Sequence, residues 1–154
     1  MARVEKSALV MFSDQRMFDL VSDVGSYKNF LPWCADSEVI SQKGDELCGR
    51  IDVERLGIRQ SFTTCNHCDA PSRMTLRLKD GPFSKLDGEW RFEALNDSAC
   101  KVILVLEFEF AGKLISAAFG KVFEQIANTM VESFVARAKE VYTDSTRLFF
   151  IMRS

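Results

Sequence analysis

The sequence predicts an α+β domain: a curved antiparallel sheet of about seven strands wrapped around a long C-terminal helix, with two short helices after the first strand. Three observations predict it. The spacing of apolar residues changes from a helical to a two-residue period after Cys34, holds that period to Phe110, and becomes helical again from Lys113. Short polar or glycine turns separate the two-residue stretches, Lys43-Gly44-Asp45 and Asp80-Gly81-Pro82 among them, as expected of consecutive antiparallel strands. The final amphipathic stretch, about 28 residues, makes a helix roughly 42 Å long, enough to cross a whole sheet.

Residues 4–12 are β-branched and apolar enough for the first strand, and Ser13 or Asp14 can cap the helix that follows. Met17, Leu20, Val21 and Val24 fall on one stripe of that helix, with Gly25 as its expected stop. A second short helical or turn segment, residues 26–31, ends against Pro32, which pushes Leu31 toward extended geometry. Strands are expected at residues 38–41, 46–56, 58–65, 73–79, 86–94 and 101–110, with a break at Asp69-Ala70-Pro71-Ser72. In the second of these, Ile51, Val53 and Arg55 alternate with Asp52 and Glu54. Met74, Leu76 and Leu78 share a face, as do Leu86, Gly88, Trp90, Phe92 and Ala94, and the last strand turns Val102, Leu104, Leu106, Phe108 and Phe110 inward. Along residues 113–142 the stripe Phe119, Val122, Phe123, Ile126, Ala127, Met130, Phe134, Ala138 and Val141 would face the sheet. Residues 1–142 thus read as one domain and 143–154 as a tail of unassigned role.

Composition bounds the function. With 154 residues, 47% hydrophobic and 27% charged, the chain has enough material for one packed core. Its net charge of −2 gives no overall basic footprint, so no DNA partner is expected. No apolar run reaches the roughly 18 residues that cross a membrane. Arg3, Glu5 and Lys6 make the N-terminus too charged for a secretory signal, so a cytoplasmic address is expected, with peripheral membrane contact left open. The five Cys are an odd set, for which reduced thiols are the default. Cys65-Asn66-His67-Cys68 resembles half a metal site, but His67 is the only His and residues 65 and 68 of a strand face opposite ways, so no metal is expected.

A curled sheet touches a straight helix at about 10 Å and stands off from it elsewhere. The gap is a candidate pocket for an apolar guest, since each buried CH₂ contributes about 0.8 kcal/mol. The thirteen Phe either line such an interior or fill it. Candidate walls are Met74, Leu76, Trp90, Phe92, Leu104 and Leu106 from the strands and Phe119, Phe123, Ile126 and Met130 from the helix. The aromatic cluster of Phe30, Trp33, Phe83, Trp90 and Phe92 offers a greasy portal and walls, Leu31 and Pro32 are further candidate ligand contacts, and Arg55 either orients a polar head or lies at an edge. General acid–base chemistry wants a carboxylate or His beside the ligand, and the inward rows of the last strands hold none, so no catalytic residues are assigned.

The run Tyr27-Lys28-Asn29-Phe30-Leu31-Pro32-Trp33-Cys34, the Gly81-Pro82-Phe83 that leads to Leu86-Asp87-Gly88-Glu89-Trp90-Arg91-Phe92, and Val122-Phe123-Glu124-Gln125-Ile126-Ala127-Asn128-Thr129-Met130-Val131 carry a resemblance across residues 1–142. The chain resembles the coenzyme Q-binding and bacterial ribosome association toxin family, START-like proteins related to polyketide cyclases. The resemblance implies a START-like helix-grip fold and two roles of different class. One is non-enzymatic binding of a hydrophobic ligand, ubiquinone or a related polyprenyl lipid, in support of respiration, with no other cofactor. The other is that of a ribosome association toxin of a toxin–antitoxin pair, which binds the large ribosomal subunit and blocks subunit joining. Binding ribosomal phosphates requires Lys and Arg; Arg50, Arg55, Arg59, Arg73, Arg77 and Lys79 supply a patch if strand neighbours align, diluted by Asp52 and Glu54. A cyclase-like enzyme is the third reading, and the quinone- or lipid-binding role is the one expected.

Overall fold

A computed structural model of the protein describes residues 2–153 in backbone and 2–142 in side chains. The element order is β1 (Ala2–Val10), α1 (Asp14–Ser22), a 3₁₀ turn (Val24–Asn29), β2 (Cys34–Lys43), β3 (Glu46–Arg55), β4 (Ile58–Asp69), β5 (Arg73–Asp80), β6 (Phe83–Asn96), β7 (Ala99–Phe110) and α2 (Lys113–Arg153). The seven strands form one curved antiparallel sheet in the order β1-β7-β6-β5-β4-β3-β2. The meander therefore pairs each strand with its sequence neighbour, and β1 closes the far edge by pairing with β7. The predicted α+β architecture is the observed one.

Local chemistry explains the element ends. The Ser13 hydroxyl accepts from the Arg16 amide and caps α1. That helix ends at Ser22 rather than Gly25, because the Asp23 carboxylate and carbonyl accept from the Ser26 hydroxyl and amide and start the 3₁₀ turn at Val24. β2 begins at Cys34, earlier than its alternation suggests, and β4 runs to Asp69, past Cys65. The β3–β4 turn has positive φ at both Leu56 (54°) and Gly57 (79°), the geometry of a type I′ hairpin. Glycine accepts that conformation freely, but Leu56 carries a branched side chain in it and is 82% exposed. Leu56→Asn is expected to raise stability by about 1 kcal/mol by relieving that conformation, read as a higher urea midpoint; a lower midpoint would show that the exposed leucine makes a contact of its own.

The core lies between the inner sheet face and α2, with α1 closing one end. Phe119, Val122, Phe123, Ile126, Ala127, Phe134 and Ala138 are buried on α2 as predicted, while Val141 is exposed and Val131 is buried in its stead. Tyr142 Oη donates to the Arg16 carbonyl (2.8 Å), tying α2 to α1. The helix continues past residue 142, where the apolar pattern ends it; the side chains of 143–154, and with them the role of the expected tail, lie outside the described residues.

The phenylalanines mostly fill the interior, forming two aromatic clusters. Phe62, Phe83, Phe108, Phe110, Phe119 and Phe123 pack with ring centroids 4.8–6.3 Å apart near the start of α2. Tyr27, Phe30, Trp90 and Phe134 form the second, with centroids 5.2–6.2 Å apart. What remains hollow lies between them.

Candidate ligand-binding site

Alternation along β3 and β4 decides what the sheet offers α2. Gly49, Ile51 and Val53 of β3 and Phe62, Thr64 and Asn66 of β4 face inward, and Leu76, Leu86, Trp90, Leu104 and Leu106 continue that surface across β5, β6 and β7. Phe123, Ile126, Met130 and Phe134 of α2 face them, and Val24, Tyr27 and Trp33 close the side beside β2. These residues bound an apolar cavity of about 60 Å³. Gly49 is required there, since a Cβ on it would lie 2.9 Å from Val24 Cγ1 and would push the 3₁₀ turn off the sheet.

The cavity wall carries polar atoms with nothing to bond. Trp33 Nε1 and Asn66 Oδ1 are buried and have no hydrogen-bond partner among the described residues, one a donor and the other an acceptor. Asn66 Nδ2 donates only to Met74 Sδ, at 3.7 Å, a weak bond. Tyr27 is better served, because its hydroxyl donates to the Val21 carbonyl and burial pushes its pKa up, so it stays neutral. Carboxylates and imidazole are absent from the described lining.

Of the residues singled out from sequence, Trp33, Leu76, Trp90, Leu104, Leu106, Phe123, Ile126 and Met130 line the cavity. The others lie elsewhere. Phe30 packs edge-on against Phe134 and under Arg137, Leu31 is buried away from the cavity, and Pro32 faces solvent. Met74 is buried behind Asn66; Phe83 and Phe119 belong to the first aromatic cluster; Phe92 is buried beneath Phe18 of α1 (5.8 Å). Arg55 ends β3 beside the hairpin turn and is not among the residues that line the cavity. Val24, Tyr27, Gly49, Ile51, Val53, Phe62, Thr64, Asn66, Leu86 and Phe134 are lining residues that were not selected from sequence. Apolar periodicity signalled Val24, Ile51, Val53, Leu86 and Phe134 among them.

The cysteines depart from the expectation of reduced thiols: Cys48 and Cys65, directly opposite in the β3–β4 register, form a disulfide with Cα atoms 4.0 Å apart. Cys34, Cys68 and Cys100 are free. Burial raises the thiols of Cys34 and Cys100 from the ordinary 9.0 to about 11. At pH 8 their thiolate fraction is then about 100-fold below that of an ordinary thiol, so slow alkylation by iodoacetamide in the folded chain is expected, becoming fast in urea. Because unfolded thiols ionise first, stability should fall as pH rises from about 9 to about 11; a urea midpoint constant across that range would contradict the burial.

Comparison with known proteins agrees with this geometry. Residues 11–135 match the family model described as polyketide cyclase / dehydrase and lipid transport. The ribosome association toxin RatA of Vibrio cholerae is 46% identical over 92% of this chain and 99% of its own. RatA of Escherichia coli K12 is 42% identical over 93% and 90%. The mitochondrial coenzyme Q-binding protein COQ10 homolog B of Xenopus laevis is 27% identical over 89% of this chain and 58% of its own. Among solved structures, the Zhui aromatase/cyclase of Streptomyces sp. R1128 superposes with a TM-score of 0.74 at 16% identity, covering 90% of this chain and 93% of that one, a likeness of fold. A seven-stranded sheet gripping one long helix around an apolar cavity, and the match across residues 11–135, place the chain in the polyketide cyclase / dehydrase and lipid transport family.

Proposed function

We propose that the chain is a non-enzymatic binding protein for an apolar ligand with an oxygen-bearing head, a polyprenyl quinone or quinol being the class that fits best. The observation that carries this reading is the pair of orphaned polar atoms on an otherwise apolar wall. A buried polar group without a partner costs about 1–3 kcal/mol. A ligand hydroxyl would satisfy either one, by accepting from Trp33 Nε1–H or by donating to Asn66 Oδ1. The lining offers no carboxylate or imidazole to act as a general acid or base, which favours binding over catalysis. The name of the Xenopus relative, a coenzyme Q-binding protein, points the same way.

Size sets a condition on this role. A cavity of about 150 Å³ holds benzene, so the 60 Å³ between α2 and the sheet admits a ring only when side chains yield. Met130, half-buried and unbranched, is the wall residue most able to do so. An isoprenoid tail then runs outward past α2.

The second reading, association with the large ribosomal subunit, is favoured by the names of the Vibrio and Escherichia relatives, which align over nearly their whole length. The outer sheet face is a weak candidate for that contact. Arg50 is held by Asp36, Glu38 and Asp52, Arg59 by Asp52 and Glu54, and Arg73 by Glu89, so three of the six residues of that patch are paired with carboxylates. The test is organic extraction of the purified chain with mass spectrometry of the extract, beside co-sedimentation with large subunits across a salt series. Recovered polyprenyl quinone, or quenching of Trp fluorescence by added ubiquinone, supports the first reading. An empty extract, no quenching and salt-sensitive co-sedimentation would replace it with the second.

A further inference from the structure

We propose that Glu46, Cys48, Cys65 and His67 form a second site, on the outer face of the sheet, that binds a divalent metal ion of the zinc type once the Cys48–Cys65 disulfide is reduced. The β3–β4 register places Glu46 opposite His67 and Cys48 opposite Cys65. Alternation from the inward Gly49 and Asn66 puts all four on the outer face, two cross-strand pairs in a square. The ligand atoms of Glu46, Cys48 and Cys65 already lie within 4.8 Å of one another, and a Glu46 carboxylate oxygen lies 3.6 Å from Cys48 Sγ. His67 and Glu46 share the groove beside Cys65. His67 Nε2 is 3.2 Å from the Asp69 carboxylate, which leaves Nδ1 to bind and supplies the carboxylate that commonly orients a ligating imidazole.

Two sulfurs, one imidazole nitrogen and one carboxylate oxygen suit a tetrahedral zinc ion. The spacing Cys65-x-x-Cys68 pointed away from such a site, because the partner thiol comes from the neighbouring strand and not from position 68. The chemistry balances with a dithiol as reductant. The S–S bond breaks, two electrons and two protons pass from the dithiol to give the Cys48 and Cys65 thiols, and the reductant leaves as its own disulfide. Metal binding then forms two metal–sulfur bonds and releases both thiol protons to solvent. The ion takes the space between the strands that the disulfide spans, so oxidation and metal occupancy exclude each other.

Cobalt(II) titration of the full chain tests this. After reduction by a dithiol and removal of the reductant without air, one equivalent of cobalt should give thiolate-to-metal charge-transfer absorption and tetrahedral d–d bands, which added zinc abolishes. The oxidised chain should give neither. Cys65→Ser should remove the charge-transfer bands, and Cys68→Ser should keep them. Glu46→Gln and His67→Gln, at exposed positions, should each weaken cobalt binding by about tenfold or more. A reduced wild-type chain without charge-transfer bands overturns the proposal, as do bands that survive Cys65→Ser. If Cys65→Ser does not fold, unchanged affinity in both Glu46→Gln and His67→Gln overturns it instead. The site lies on the opposite face of β4 from the cavity, so this outcome is independent of the quinone reading.

Discussion

Phe134→Ala is expected to lower the free energy of unfolding by about 3–5 kcal/mol, the range for truncating a buried aromatic residue to Ala. Phe134 is 1% exposed and makes edge contacts with Tyr27 (5.2 Å), Phe30 (5.4 Å) and Trp90 (5.5 Å), so one truncation removes three aromatic pairs. Each such pair contributes roughly 0.5–1.5 kcal/mol beyond buried area. These pairs join α2 to β6 and to the segment from Tyr27 to Phe30. The measurement is urea unfolding at constant pH, and the expected signature is a lower midpoint with an unchanged slope. Phe12→Ala, at a half-buried ring that touches Tyr142 at the end of the described side chains, should cost far less. A loss below about 1.5 kcal/mol at Phe134 would mean that the cluster collapses into the space left behind, and the wall of the cavity would then be soft rather than fixed.

The helix face that carries Phe134 was legible in the sequence because a 3.6-residue stripe needs no knowledge of any partner. The same holds for Trp90, Leu104 and Leu106, whose two-residue alternation sorts each residue to a face by itself. The other half of the cavity wall was hidden for identifiable reasons. Gly49 has no side chain, so its role appears only where Val24 is seen to press on it. Thr64 and Asn66 are polar, and Asn66 lies just past Cys65, where the expected strand ended; the continuation of β4 to Asp69 turns it inward. The pairing of Cys48 with Cys65, 17 residues apart, exists only through strand register. Register also explains the overreach at Phe83, Phe92 and Phe119. Phe92 and Phe119 face inward as predicted and Phe83, expected at a portal, does so too, yet each meets another ring before it meets the cavity. A face can be read from one strand, whereas position along that face requires its neighbours.

Asn66→Leu, alone and with Trp33→Phe, should separate stability from function in opposite directions. Asn66 is 4% exposed with Oδ1 unpaired, and Trp33 is 4% exposed with Nε1 unpaired, so each wild-type side chain holds a desolvated polar group in an apolar wall. Leu has the same heavy-atom branching as Asn, is bulkier and brings no such group, and Phe keeps most of the indole's packing while deleting the donor. Removing an unsatisfied buried polar group recovers part of its cost of about 1–3 kcal/mol, so the ligand-free double variant should be as stable as wild type or more so. Ligand binding should move the other way. If the quinol donates to Asn66 Oδ1 and a quinone or quinol oxygen accepts from Trp33 Nε1–H, loss of those bonds should weaken quinol binding by at least about tenfold, equivalent to about 1.4 kcal/mol. Trp90 remains in the double variant, so quenching of its fluorescence still reports the ligand. A residue retained by evolution for packing would give the reverse pattern, a destabilised chain whose affinity is unchanged. That pattern would remove the polar pair from the ligand's recognition, and with it the observation on which the quinone reading stands.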